Sequence, residues 1–177
     1  MSHITTALAI TMISGAVFAE QRNAGSHVHG LNHATIVLEG NRLQIAYEFP
    51  AEQLGEQGHE EHKHEEHGDK AHELSDKLEA IESVFAIVSL PENAQCKETE
   101  VTHSLTQVGG SDTKLEGHHD ALIQVILECR APENLTNLSF EPAFERFDDL
   151  EKIEVEGVME TEALSITLTS LSSSLEL

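Results

Sequence analysis

The chain has 177 residues, 39% of them hydrophobic, with no tryptophan and one tyrosine; that is enough for one ordinary domain or two small ones around a lean, aliphatic core. A formal net charge of −22 excludes nucleic acid and anionic membrane surfaces as partners, because phosphates are bound through basic surface, while a field of this sign attracts cations. Against only ten lysines and arginines the chain carries twelve histidines, and imidazole, largely neutral at physiological pH, is the commonest metal ligand there.

The first nineteen residues read as a secretory signal. Ile4 to Phe18 is apolar with small residues, no Asp, Glu, Lys or Arg precedes Glu20, and Val17-Phe18-Ala19 fits a small-residue cleavage site. A short membrane anchor is the competing reading, since the n-region has His3 and the terminal amine but no lysine or arginine. The apolar run is too short to span a bilayer comfortably, and no later stretch approaches that length. The expectation is a protein exported to the periplasm without membrane insertion.

A first histidine cluster, HVHGLNH (His27, His29, His33), opens the mature chain. On a strand, alternate residues share a face, and the apolar residues Val28, Ala34, Ile36 and Leu38 hold the even positions. The three histidines hold odd positions, with Gly30 interrupting the alternation, and are expected to project away from the core. Zinc takes imidazole nitrogens at about 2.0–2.1 Å, usually in a tetrahedron of four ligands, so a carboxylate, a water or a distant histidine would complete such a set. The alternative is a polar strand face with incidental histidines.

Glu39-Gly40-Asn41 signals a turn, and Leu43, Ile45, Tyr47 and Phe49 then alternate with polar residues up to Pro50, which predicts a β-hairpin with one buried face. From Leu54 to about Lys70 there is no apolar periodicity, and a flexible loop or frayed helix is expected. It holds the densest cluster, His59, His62, His64, His67 and His72, among acidic residues. Spacings of three suit chelation if a helical turn forms on binding, and a loop that must be ordered to bind suits capture or handover better than tight storage. A solvated charge run and a pH sensor are the other readings.

Ala71, Leu74, Leu78, Ile81 and Phe85 step by three and four, which predicts an amphipathic helix of about four turns. Leu90-Pro91 closes that region, Cys96 to Leu105 reads as a strand, and Gly109-Gly110-Ser111-Asp112 as a linker. A third cluster, His118, His119 and Asp120, opens the second half. Adjacent strand residues point oppositely, so one of the two histidines is expected to ligate, with Asp120 as ligand or as orienting partner. His103 stands alone and is expected at the surface. Cys96 and Cys129, 33 residues apart, read as one disulfide in an exported protein, worth roughly 3–4 kcal/mol by chain entropy; thiolate ligation is the alternative.

The segment QVILECRAPENL (Gln124 to Leu135) echoes QIAYEFPAEQL (Gln44 to Leu54). Each follows a histidine cluster and precedes a Phe-bearing segment that can be helical, Phe85 in one and Phe140, Phe144 and Phe147 in the other. Alternation returns at Ile153 and Val155, then at Leu164, Ile166 and Leu168. The fold class expected is α+β, as two similar small units with antiparallel sheets and a packed helix, against the alternative of chance similarity. Residues 1–19 would be the signal, 20–108 the first unit with the histidine-rich loop 57–72, 109–117 a linker and 118–177 the second unit.

Imidazole with carboxylate suits zinc, copper(II) or nickel. With Met159 the one methionine outside the signal, a copper(I) site is disfavoured, and zinc is the metal expected. No zinc-protease, nucleophile-elbow or phosphate-loop motif occurs, so no enzymatic activity is expected. Capture of metal for uptake, sequestration of excess metal, and a structural module with incidental histidines remain as readings.

The stretches HVHGLNHATIVLEGNRLQIAYEFPAEQL, VFAIVSLPENAQC, GHHDALIQVILECRAPENL and FERFDDLEKIEVEGV, in this order and spacing, resemble the periplasmic zinc-uptake family typified by ZrgA of Gram-negative bacteria. The resemblance covers essentially the whole mature chain. It implies an exported α+β protein of two similar domains that binds zinc and supports a high-affinity zinc ABC importer, whose substrate-binding component would be its partner. On matching positions His27 and His29 are the motif histidines, His118 is the histidine before Asp120, and Cys96 and Cys129 are the family's cysteines. The chain departs from the pattern twice. The family's long histidine-rich insertion is reduced to Gly109–Glu116, and LGEQGHEEH, with His59 nearest in place, stands where a Gly-Phe-Glu-His-like stretch is usual.

Overall fold

The computed structural model describes residues 30–55, 67–108, 118–159 and 162–177. The expected signal, His27, His29, the loop from 56 to 66 and the linker 109–117 lie outside them.

Alternating apolar residues build the expected hairpin. β1 (Leu31–Glu39) and β2 (Arg42–Pro50) pair antiparallel from His33 opposite Glu48 to Glu39 opposite Arg42, across the turn at Gly40-Asn41. Ala34, Ile36, Leu43, Ile45, Tyr47 and Phe49 are buried on one face. Pro50 lacks an N–H and ends the strand, and a 3₁₀ turn, Ala51–Leu54, folds back under the sheet with Ala51 and Leu54 buried.

Helix α1 (His67–Glu79) packs on the sheet through Leu78, which is buried, and Leu74, which is partly so. It stops at Glu79, not at Phe85 as the spacing predicts. Ile81 is buried beyond the helix end and Phe85 is 43% exposed. Tertiary contacts override the local period here. The Glu98 carboxylate accepts hydrogen bonds from the Ser83 hydroxyl and the Val84 N–H, and Ser83 caps a 3₁₀ turn, Val84–Ala86.

β3 (Cys96–Val108) and β4 (His118–Cys129) form a second hairpin, with Cys96 opposite Cys129. These two are joined as a disulfide, with Cα atoms 3.8 Å apart, so the thiolate-ligand alternative is closed. There follow β5 (Asn137–Ser139), helix α2 (Glu141–Arg146), β6 (Lys152–Met159), β7 (Glu162–Thr169) and β8 (Ser174–Glu176).

The fold is mixed α+β with a predominantly sheet core. Six strands lie in the order β3-β4-β2-β1-β6-β7, and β5 pairs with β8 in a small separate sheet. Here the architecture departs from two antiparallel units, because strands from both halves interleave in one sheet and β1 runs parallel to β6, Leu31 opposite Lys152. The echoed segments do fold alike. β2 leads into the 3₁₀ turn Ala51–Leu54 and β4 into Pro132–Asn134, with Leu54 and Leu135 both buried, and the two strands are antiparallel neighbours. Beneath the sheet, Tyr47 packs on Phe49, Phe140 and Phe147 with ring centroids 5.6, 6.0 and 6.3 Å away, supplying the aromatic centre of an otherwise aliphatic core.

Candidate metal centre

Strand register brings the start of β1 with His33, the end of β2 at Pro50 and the start of β4 with Asp120 to one end of the six-stranded sheet. β1 begins there at Leu31, directly after HVHG. β2, running the other way, finishes there at Pro50, and the chain continues toward the acidic histidine run. β4 begins there, with Asp120 opposite Pro50 and His118 opposite Val108. β6 begins there too, Lys152 opposite Leu31.

His33 keeps the face expected of it. It alternates with buried Ala34 and is 40% exposed on the side of the sheet away from the core. In the register it lies between Glu48 of β2 and Glu154 of β6, with its Nδ1 3.5 Å from Glu154 Oε2. A pair this exposed adds little to stability, so what it offers is orientation. A carboxylate at Nδ1 favours the tautomer whose Nε2 is free to ligate, as in carboxylate–histidine–metal arrangements. The sequence offered no sign of this partner, because the β1–β6 pairing is long-range.

The alternation that places His33 begins after Gly30, which is a turn residue. Gly30 has φ +75° and sits against the connection from α2 into β6, where an added Cβ would stand 2.8 Å from Glu151 Cγ and 2.9 Å from the Asp149 carbonyl oxygen. Its own carbonyl accepts hydrogen bonds from the N–H groups of Glu151 and Lys152 at 2.8 and 2.9 Å. The chain therefore turns at Gly30 before β1 begins; of the three histidines His33 is the one among the described residues, and it holds the expected outward face.

Of the densest cluster, His59, His62 and His64 lie outside the described residues. His67 is the first residue of α1, at the end of the stretch expected as a flexible loop or frayed helix. His72 stands on the exposed side of α1, with its Nδ1 3.2 Å from Asp76 Oδ1 one turn on. A hydrogen bond to its own backbone and the Asp76 carboxylate, with Glu79 adding to the field, raise its pKa above the ordinary 6.5. A proton therefore competes with a metal ion for this imidazole up to higher pH.

His119, partly buried and opposite Gln107, has the strand parity of buried Ala121. Asp120 has the parity of Leu122, which shares a row with Glu48 and His33. Among the described residues, no group of three or more His, Cys, Asp or Glu is arranged to hold a metal ion. They supply His33 with its carboxylates, Asp120 and His72 as separate donors.

His103 is not the surface residue expected. It is partly buried, and its Nε2 lies 2.9 Å from the Ile81 carbonyl oxygen just past α1. Its parity with Val101 and Leu105, both packed against the core, was the available signal. Asn32 was also overlooked, although its even position places it with Ala34 and Ile36. It is fully buried and donates to Tyr47 Oη at 2.7 Å and Gln53 Oε1 at 3.0 Å. Among the described residues no helix is long and apolar enough to cross a membrane.

Residues 26–177 match the model of the ZrgA family of zinc uptake proteins. No curated protein matches the chain.

Proposed function

This chain belongs to the ZrgA family of zinc uptake proteins, and from that premise we propose that it is a periplasmic zinc-binding accessory protein, exported by an N-terminal signal peptide. It captures zinc and hands it to the substrate-binding component of a high-affinity zinc ABC importer. Zinc is its cargo, and the reading gives it no catalytic residue. The ligands would come from His27, His29 and His33, from His59, His62, His64, His67 and His72, and from His118 or His119 with Asp120.

The observation that supports this reading is that His33, Asp120 and the Pro50 end of β2, from which the chain runs on toward the acidic histidine stretch, share one sheet end on a chain of net charge −22. Imidazoles distant in sequence can then serve one ion or pass it between neighbouring sites, and the acidic field raises the local cation concentration. The disulfide fits an oxidising compartment.

Calorimetric titration of the mature chain with zinc, beside a variant lacking residues 57–72, tests the proposal. Binding at micromolar zinc is expected in both, weaker without the loop, and weakening in both below about pH 6 as imidazoles protonate. Absence of binding, or equal affinity at pH 5 and 7.5, would contradict it. Induction of the protein by zinc starvation is expected of an uptake role; induction by zinc excess would turn the assignment to sequestration.

A further inference from the structure

Among the described residues two polar side chains lie in the core: Asn32, fully buried, and Gln53, 5% exposed. The Asn32 amide nitrogen donates to both Tyr47 Oη and Gln53 Oε1. Asn32 Oδ1 and Gln53 Nε2 are left buried without hydrogen-bond partners. Apolar side chains of similar shape at both positions would remove four buried polar atoms and leave only the Tyr47 hydroxyl to be desolvated. A half-satisfied network is a costly way to fill a core, so these residues serve something besides filling space.

What the network joins indicates its use. Asn32 stands at the start of β1, two residues after Gly30 and one before His33. Gln53 stands in the 3₁₀ turn through which the chain leaves β2. Tyr47, held among Phe49, Phe140 and Phe147, is the fixed post to which both are tied. Burial raises the Tyr47 pKa well beyond the ordinary tyrosine range, outweighing the lowering hydrogen bond from Asn32, so its hydroxyl stays neutral at working pH. Hydrogen bonds are directional where apolar packing is not. An inward-tied Asn32 also turns His33 outward by strand alternation.

Resting on the zinc-carrying reading above, we infer that Asn32, Tyr47 and Gln53 form a positioning network for the zinc site. They fix the turn Ala51–Leu54 relative to the start of β1 and set the rotation of β1 that aims His33 at Glu154. None of the three touches the ion; they act through the backbone of the segments that do.

The test uses the full mature chain beside Gln53→Met and the double variant Asn32→Leu/Gln53→Met, which replaces both carboxamides by apolar side chains of similar size. The double variant is expected to keep its circular dichroism and to melt modestly lower, because the buried Tyr47 hydroxyl loses its Asn32 partner. Its zinc affinity is expected to fall about 10–100-fold, the usual cost of losing an outer partner at a metal site. Its cobalt(II) visible absorption, which reports coordination geometry, is expected to change. A folded variant with unaltered zinc Kd and cobalt spectrum overturns the network while leaving the zinc reading intact. A native chain that takes up no zinc removes both. Where the double variant does not fold, Gln53→Met alone decides by the same two readouts.

Discussion

A carboxylate acts on an imidazole in two different ways in this protein. At His33, Glu154 sits at Nδ1 from a neighbouring strand and can fix the tautomer that ligates. Replacing it, Glu154→Gln, is expected to lower zinc affinity about 10–100-fold with little change in thermal stability, measured by calorimetry on the folded variant. At His72, Asp76 lies one helical turn on and favours the proton over the metal. Because the folded pKa is raised above 6.5, the stabilising contribution of His72 is fully present below that unfolded value and is lost as pH rises through the folded pKa. A proton NMR titration of the His72 ring should give a midpoint above 6.5, moving down in Asp76→Asn. Zinc should leave His72 early as pH falls, which suits handover. The sequence shows which residue types could ligate, but the carboxylate behind His33 depends on a strand pairing that no local pattern encodes. His103 is legible through its parity with Val101 and Leu105, both packed against the core, although it stands alone among polar residues in the sequence.

The hairpin β1–β2 follows from strict alternation and a Gly-Asn turn, and α1 begins the amphipathic period the sequence shows. The helix end was not legible, because Glu98, more than a dozen residues downstream, accepts hydrogen bonds from Ser83 and Val84 and draws the chain into a 3₁₀ turn. Gly30 is the element-level feature that most constrains the metal end. Gly30→Ala combines a positive φ with close contacts to Asp149 and Glu151 and is expected to destabilise by about 1–3 kcal/mol, read by urea denaturation, and to weaken zinc binding by shifting the residues just before β1. The disulfide lies at the other end of the sheet, where β3 begins and β4 finishes. Replacing both Cys96 and Cys129 by serine should cost about 2–5 kcal/mol while leaving zinc affinity unchanged, which separates structural damage from loss of the site.

Over the whole molecule, two α+β units were expected from a real likeness between the strand–proline–turn segments around Pro50 and Pro132. Those segments fold alike, yet β2 and β4 are antiparallel neighbours in one sheet, which β1 extends by taking β6 as a parallel partner. Interleaving of this kind rests on contacts distant in sequence, so composition and periodicity do not encode it. The same interleaving puts His33, Asp120 and the Pro50 end of β2 at one end of the sheet. A nine-residue strand such as β1 spans about 30 Å, so a metal held at that end is remote from Arg42, Glu128 and Cys129 at the other. Amide NMR of the mature protein with cobalt(II) in place of zinc therefore tests the central claim most directly. Strong paramagnetic effects are predicted at Leu31, Ala51, Asp120 and Lys152, with Arg42, Glu128 and Cys129 scarcely perturbed. Effects centred on the disulfide end, or spread evenly over the sheet, would contradict the account.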